Sequence, residues 1–274
     1  MEYGSTRNGT RVIAQGRLAW LFLVVSLVVI GTFLLSPPWT VLGKTRLVGY
    51  AICHQIAERS FHIAGQQLPL CARCTGIYMG VLTGFTLMTL WGRRRAAGLP
   101  PTPITLTLVA FIIILGVDGI NSYLTFFPNL PHLYKPQNWL RLTTGTLEGI
   151  ALSSFVYPVL NYSLWRNTVE TASVRNFKEL ALLVAGGGVI ILLTWLEIPL
   201  LLYPLAILST LGVLIMLGAI NTVIVLTLTR REGSARTWQQ AVLPVTMGLA
   251  FAFLEIGGID AARAIITRTF GLPF

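Results

Sequence analysis

Charge is scarce in this sequence. Only 11% of its 274 residues are charged and 54% are hydrophobic, where a soluble domain has about 25% charged residues. Acidic residues are scarcest, 10 against 20 Lys and Arg. With a mean hydropathy of +0.72, these shortages exclude a soluble globular chain and indicate a polytopic membrane protein. Cysteine is rare too. Cys53, Cys71 and Cys74 are an odd number, which excludes a complete disulfide framework, yet they lie close enough in the chain to form one local site. Other absences narrow the chemistry. The C-A-R-C-T run lacks the histidine of a haem-attachment motif, and there is no glycine-rich nucleotide loop, no H-E-x-x-H and no nucleophile elbow. No long-period repeat is visible, and internal repeats are common in transporters.

What is present is apolar. Runs long enough to span lie at about 18–35, 70–91, 104–126, 141–164, 179–197, 201–229 and 239–258, at roughly 20 residues per span. The expected fold is all-α: a helical bundle of about seven transmembrane helices in one membrane domain, 18–274, behind a cytoplasmic tail, 1–17. The pair at 179–229 is divided only by the Glu197–Pro199 stretch, so it reads as two spans or as one broken element. The first run is too long for a cleaved signal, and SPPW follows it in place of a cleavage site. Residues 47–64 interleave apolar and polar groups and stop at Gly65, which predicts a short helix at the outer surface.

The formal net charge of +10 is read as membrane flanking rather than nucleic-acid binding, because no basic soluble domain exists to carry it. The clusters around Arg17, at Arg93–Arg95 and at Arg230–Arg236 sit at alternate span ends. The positive-inside rule then places the amino terminus in the cytoplasm and residues 36–69 outside. The expected location is the cytoplasmic (inner) membrane.

With that topology, polar groups converge at the outer end. Cys71, Cys74 and Tyr78 share one stripe of the second span, and Gly76, Gly80 and Gly84 share the opposite stripe, which permits close helix packing. Asp118, Asn121, Ser122 and Thr125 form a stripe on the third span; Arg141, Thr144, Gly145 and Glu148 form one on the fourth. A charge inside a span costs about 2.5–3.5 kcal/mol on insertion scales, so these groups should face a partner or a wet cavity. Asp118 pairing with Arg141 is the expected ion pair, and Glu255 in the last span lies at a similar depth.

The run ICHQIAERSF followed by LPLCARCTGIYMG, then D-G-x-N, then N-x-x-R-L-x-T-G resembles the bacterial membrane proteins grouped as domain of unknown function 2085. The resemblance covers roughly 45–155 and leaves 179–258 as additional helices. It falls on Cys53, His54, Gln55, Arg59, Ser60, Phe61, Cys71, Arg73, Cys74, Thr75, Gly76, Asp118, Asn138, Arg141, Thr144 and Gly145. It implies where a site lies and carries no reaction with it.

Three chemistries fit these residues. In the first, Cys53, His54, Cys71 and Cys74 hold a metal such as zinc, which takes four S or N ligands in a tetrahedron; adjacent Cys53 and His54 strain that set, so His62 or an open fourth position are alternatives. Asp118, Arg141 and Glu148 beside an open metal could act catalytically on a lipid or lipid-linked substrate. In the second, Cys71 and Cys74 are a C-x-x-C redox pair at a helix start, with Cys53 as the resolving thiol. In the third, the chain is a non-catalytic subunit among other membrane subunits. Whether it is an enzyme stays open on sequence alone.

Overall fold

The computed structural model describes residues 6–127 and 131–270, with side chains over 19–127 and 131–267. The side chain of Arg17, used above to orient the chain, lies outside the described residues.

Eight α-helices are present among the described residues. They are α1 (Thr6–Leu35), α2 (Val41–Ile52), α3 (Ala72–Leu90), α4 (Thr102–Leu124), α5 (Asn138–Leu164), α6 (Phe177–Trp195), α7 (Leu202–Leu228) and α8 (Trp238–Phe270). The fold is an all-α membrane bundle. Four helices are long and apolar enough to cross a membrane: α4, α6, α7 with the turn before it, and α8 over Trp238–Thr267. The central pair, α3 and α5, carries the glycines and polar groups.

These two helices run parallel. Gly76 faces the backbone of Leu142 and Thr146, Gly80 that of Thr146 and Gly149, and Gly84 the side chain of Ser153. From the other side, Gly145 meets Arg73 and Ile77, and Gly149 meets Ile77 and Val81. The glycine stripe expected on the second span therefore finds a second one opposite it. A hydrogen in place of each side chain lets the two backbones touch, which is how helices gain dispersion contact where there is no water to expel.

The other helices alternate around this pair. Asp118, late in α4, bonds Arg73 at the start of α3, while Leu108 packs with Met88 near the end of α3. Gly212 of α7 abuts Tyr78, and Leu226 joins Leu164 and Trp165 after α5. Trp238 stacks edge-on against Trp165, and Ile256 reaches the Cys53 cluster. The chain thus has a cysteine end and an opposite end. Residues 179–229 are two helices, separated by a left-handed Glu197 (φ 49°) and a 3-10 turn at Pro199–Leu201. At the opposite end Arg93 is buried, ion-paired with Glu179 and bonded to the carbonyls of Ala172 and Ser173. It holds the fold there rather than facing headgroups.

The short helix is displaced from its expected place near 47–64. It occupies Val41–Ile52, starts at a Thr40 side chain that accepts from Gly43 N, and stops before Cys53. The cause lies at Gln55, whose φ of 49° turns the chain back. A 3-10 turn (Ala57–Arg59) and a two-residue hairpin, β1 (His62–Ile63) with β2 (Gln66–Gln67), follow. His54, Glu58 and His62 consequently do not share a helical face.

Candidate metal centre and its arginine cavity

Cys53 is the first residue after α2, Cys71 is the residue before α3, and Cys74 lies in the first turn of α3. Their sulfurs all lie within 4.8 Å of one another, and all three are free thiols. Two backbone N–H groups point at the Cys53 sulfur, from Cys71 at 3.2 Å and from Gln55 at 3.4 Å. Amide donors to sulfur favour its charged form. Hydrogen bonding within the trio holds the Cys71 thiol well below its ordinary value, while the bond to Cys71 and then burial raise that of Cys53.

The chain segment between the cysteines is tied down polar atom by polar atom. The Gln55 amide donates to the carbonyls of Arg46 (2.9 Å) and Pro69 (2.7 Å). Gln67 Nε2 donates to the Gln55 carbonyl (2.7 Å) and to Ser60 Oγ (3.0 Å). Asn138, the first residue of α5, donates to the carbonyls of Glu58 and Ser60. Arg263 of α8 closes the arrangement. Its guanidinium donates to the Tyr50 carbonyl and, at 3.0 Å, to that of Cys53, and it lies 3.9 Å from the Tyr50 ring centre. A cation on the last carbonyls of a helix is favourable for the helix dipole.

A cavity of about 280 Å³ opens beside Cys71, lined by His54, Arg59, Arg73, Ser122, Tyr123 and Arg141 among others. Asp118 is 1% exposed and saturated on both oxygens: Arg73 binds Oδ2 as an ion pair, and the Tyr134 hydroxyl donates to Oδ1 at 2.9 Å. Burial first, then Asp118, push the Tyr134 phenol up to about 12, so it stays a donor. Asn121 anchors that loop, accepting from Leu133 N and donating to the Tyr134 carbonyl.

The expected Asp118–Arg141 pair does not form, because Arg73 reaches the carboxylate from the start of α3. Arg141 instead bonds Asn138 Oδ1 at 2.9 Å and faces the cavity. Glu148 is buried with Oε2 unpartnered and does not line the cavity. Glu255 is exposed and takes a hydrogen bond from Asn221. His54 is exposed and stands outside the sulfur group, and His62 and His132 are exposed elsewhere. The sequence assigns neither Tyr134 nor Arg263 a place in the site. The signal for Arg263 was a lone guanidinium after an apolar run, which reads equally as a flanking charge.

Fold and site together define a helical membrane protein with a three-cysteine cluster. Residues 53–155 match the model of the family described as Predicted membrane protein (DUF2085). An uncharacterized protein of Methanothermobacter thermautotrophicus is 33% identical over 102 residues, 37% of this chain and 81% of the relative. An uncharacterized protein of Methanocaldococcus jannaschii is 32% identical over 108 residues, 39% of this chain; the chain spans 63% of that relative's length. The chain belongs to this family. Both relatives are archaeal, so the resemblance reaches beyond the bacterial proteins expected. No solved structure matches.

Proposed function

We propose that the chain is a multi-pass protein of the cytoplasmic membrane that holds a metal ion, zinc by its donor set, on Cys53, Cys71 and Cys74 at the outer face. The observation that carries this reading is the convergence of three free sulfurs from two chain segments within 4.8 Å. A tetrahedral zinc with bonds of about 2.3 Å needs its sulfurs about 3.8 Å apart, a contraction of about one ångström at most. The amide bonds to Cys53 Sγ are the kind of outer support that fixes a ligating thiolate. Three thiolates leave a fourth position, and Cys71 lines the cavity where a water or a lipid-linked substrate can occupy it. His54 is next to the cluster in sequence but exposed, so it is a weaker fourth ligand than the open position. The amino terminus in the cytoplasm, with the basic loops at the opposite end of the bundle, sets the cysteine end outside.

Metal analysis of the protein purified under reducing conditions is the test. Stoichiometric zinc in the wild type that is lost in Cys71→Ser supports the centre. Metal-free wild type whose thiols cycle to a disulfide on oxidation overturns it in favour of C-x-x-C exchange.

A further inference from the structure

The cavity beside the cysteines has a feature that the metal does not use. Three guanidinium groups, from Arg59, Arg73 and Arg141, converge on it, and among the described residues no carboxylate lines it. Of these three, only Arg73 has an acidic partner among the described residues, Asp118. Arg59 is held by the Phe126 ring, 4.0 Å from its centre, and by a long 3.5 Å bond to the Ser122 carbonyl. Arg141 is 7% exposed, yet its Nε has no hydrogen-bond partner, and the Nε of Arg73 is also buried and unbonded. Burial, and then the Arg73 charge, lower the pKa of Arg59.

Leaving guanidinium N–H groups buried and unpaired is costly, more so than for neutral donors. Two cations without carboxylate partners, in a partly dry site, leave a deficit of hydrogen-bond acceptors. We propose that this cavity binds a phosphoryl group, with Arg59 and Arg141 as its principal ligands and Arg73 held in place by Asp118. A phosphoryl dianion matches the two unpaired charges, and its several oxygens match guanidinium forks, which bind phosphate in bidentate fashion. The volume lies near the lower limit of small-molecule pockets, roughly 300–1,000 Å³, so it fits a headgroup rather than a nucleotide. Tyr123 and Phe126 line the cavity with their rings largely exposed, and exposed aromatics at a span end lie in the headgroup layer. A phosphate on a lipid can therefore enter sideways, between α3 and α4. The proposal stands on the arginines and does not require the metal.

Binding is measured on the full-length protein in phosphatidylcholine nanodiscs, using inorganic phosphate and dioctanoyl phosphatidic acid as probes and dioctanoylglycerol as the uncharged control. The wild type is expected to bind phosphatidic acid and not dioctanoylglycerol. Arg59→Gln and Arg141→Gln should each weaken binding about tenfold or more, and Arg46→Gln, away from the cavity, should not change it. Gly119→Leu supplies a variant that keeps every arginine. A Cβ there has open space within 4 Å, and the residue lines the cavity, so the added side chain should block the ligand while the fold and metal content persist. Binding of phosphatidic acid alone assigns the site to a lipid headgroup; binding of both probes assigns it to the phosphoryl group itself. Binding of neither probe, or equal binding by wild type, Gly119→Leu and the double arginine variant, overturns the proposal.

Discussion

The backbone N–H of Cys71 donates to the sulfur of Cys53 across 3.2 Å, joining the end of α2 to the start of α3. One thiol is therefore held by the segment that carries another, before any metal arrives. Loss of any one sulfur leaves two ligands. Cys53→Ser, Cys71→Ser and Cys74→Ser should each abolish stoichiometric zinc, whereas His54→Ala should retain it. Metal analysis of the four purified variants checks this, and loss of zinc in His54→Ala would make the imidazole a ligand after all.

Asp118 and Arg73 form the buried pair. Removing one partner of such a pair costs about 3–5 kcal/mol because the other is left charged and uncompensated. Asp118→Asn should therefore lower the detergent thermal midpoint strongly. Arg73→Gln combined with Asp118→Asn should recover much of the loss, and Arg141→Gln combined with Asp118→Asn should not. A double-mutant cycle with the opposite outcome would restore the pairing expected from helix phase.

The parallel contact between α3 and α5 admits no side chain at its glycines. A Cβ on Gly149 would come within 2.8 Å of the Val81 nitrogen, and one on Gly76 within 2.8 Å of the Thr146 nitrogen. Backbone cannot rotate aside as a side chain can. Gly76→Ala and Gly149→Ala should each cost about 1–3 kcal/mol by overpacking. Gly116→Ala, where nothing lies within 4 Å, should be neutral, as unfolding in a mild denaturing detergent series will record.

Orientation has its own check. Leu133 is 79% exposed at the cysteine end, and Arg231 is exposed after α7 at the opposite end. Leu133→Cys should react with a membrane-impermeant maleimide in intact spheroplasts. Arg231→Cys should react only after lysis. Reversed labelling would place the cysteine cluster in the cytoplasm.

Much of this architecture was legible in the sequence. Each apolar run became a helix, because 20 apolar residues in lipid must satisfy their backbone internally. The glycine spacing predicted a packing face and found one. The grouping of Cys53, Cys71 and Cys74 followed from their closeness in sequence. Partner choice was less legible. The direction of the spans put Asp118, Arg73 and Arg141 at one end of the bundle, and helix phase says which groups share a face. It does not say which guanidinium is long enough and aimed to reach the carboxylate. The register of α2 was missed because the decisive residue, Gln55, adopts a left-handed conformation that only its bonds to Arg46 and Pro69 explain. Arg263 was illegible for a different reason: its acceptor, the Cys53 carbonyl, lies 210 residues away.

That distance also bears on how the protein is made. Cys53, Cys71 and Cys74 emerge first in synthesis, and the guanidinium that caps the Cys53 carbonyl belongs to α8 and follows 210 residues later. Until then the end of α2 lacks its clamp. Arg263→Ala should loosen it, at a cost of about 1.5–3 kcal/mol for charged hydrogen bonds, and should speed alkylation of Cys53 in metal-free protein. The helix that completes the cluster also lies outside residues 53–155, the segment that matches the family. In this chain, a cluster that resists alkylation would report that translation and membrane insertion have run as far as α8.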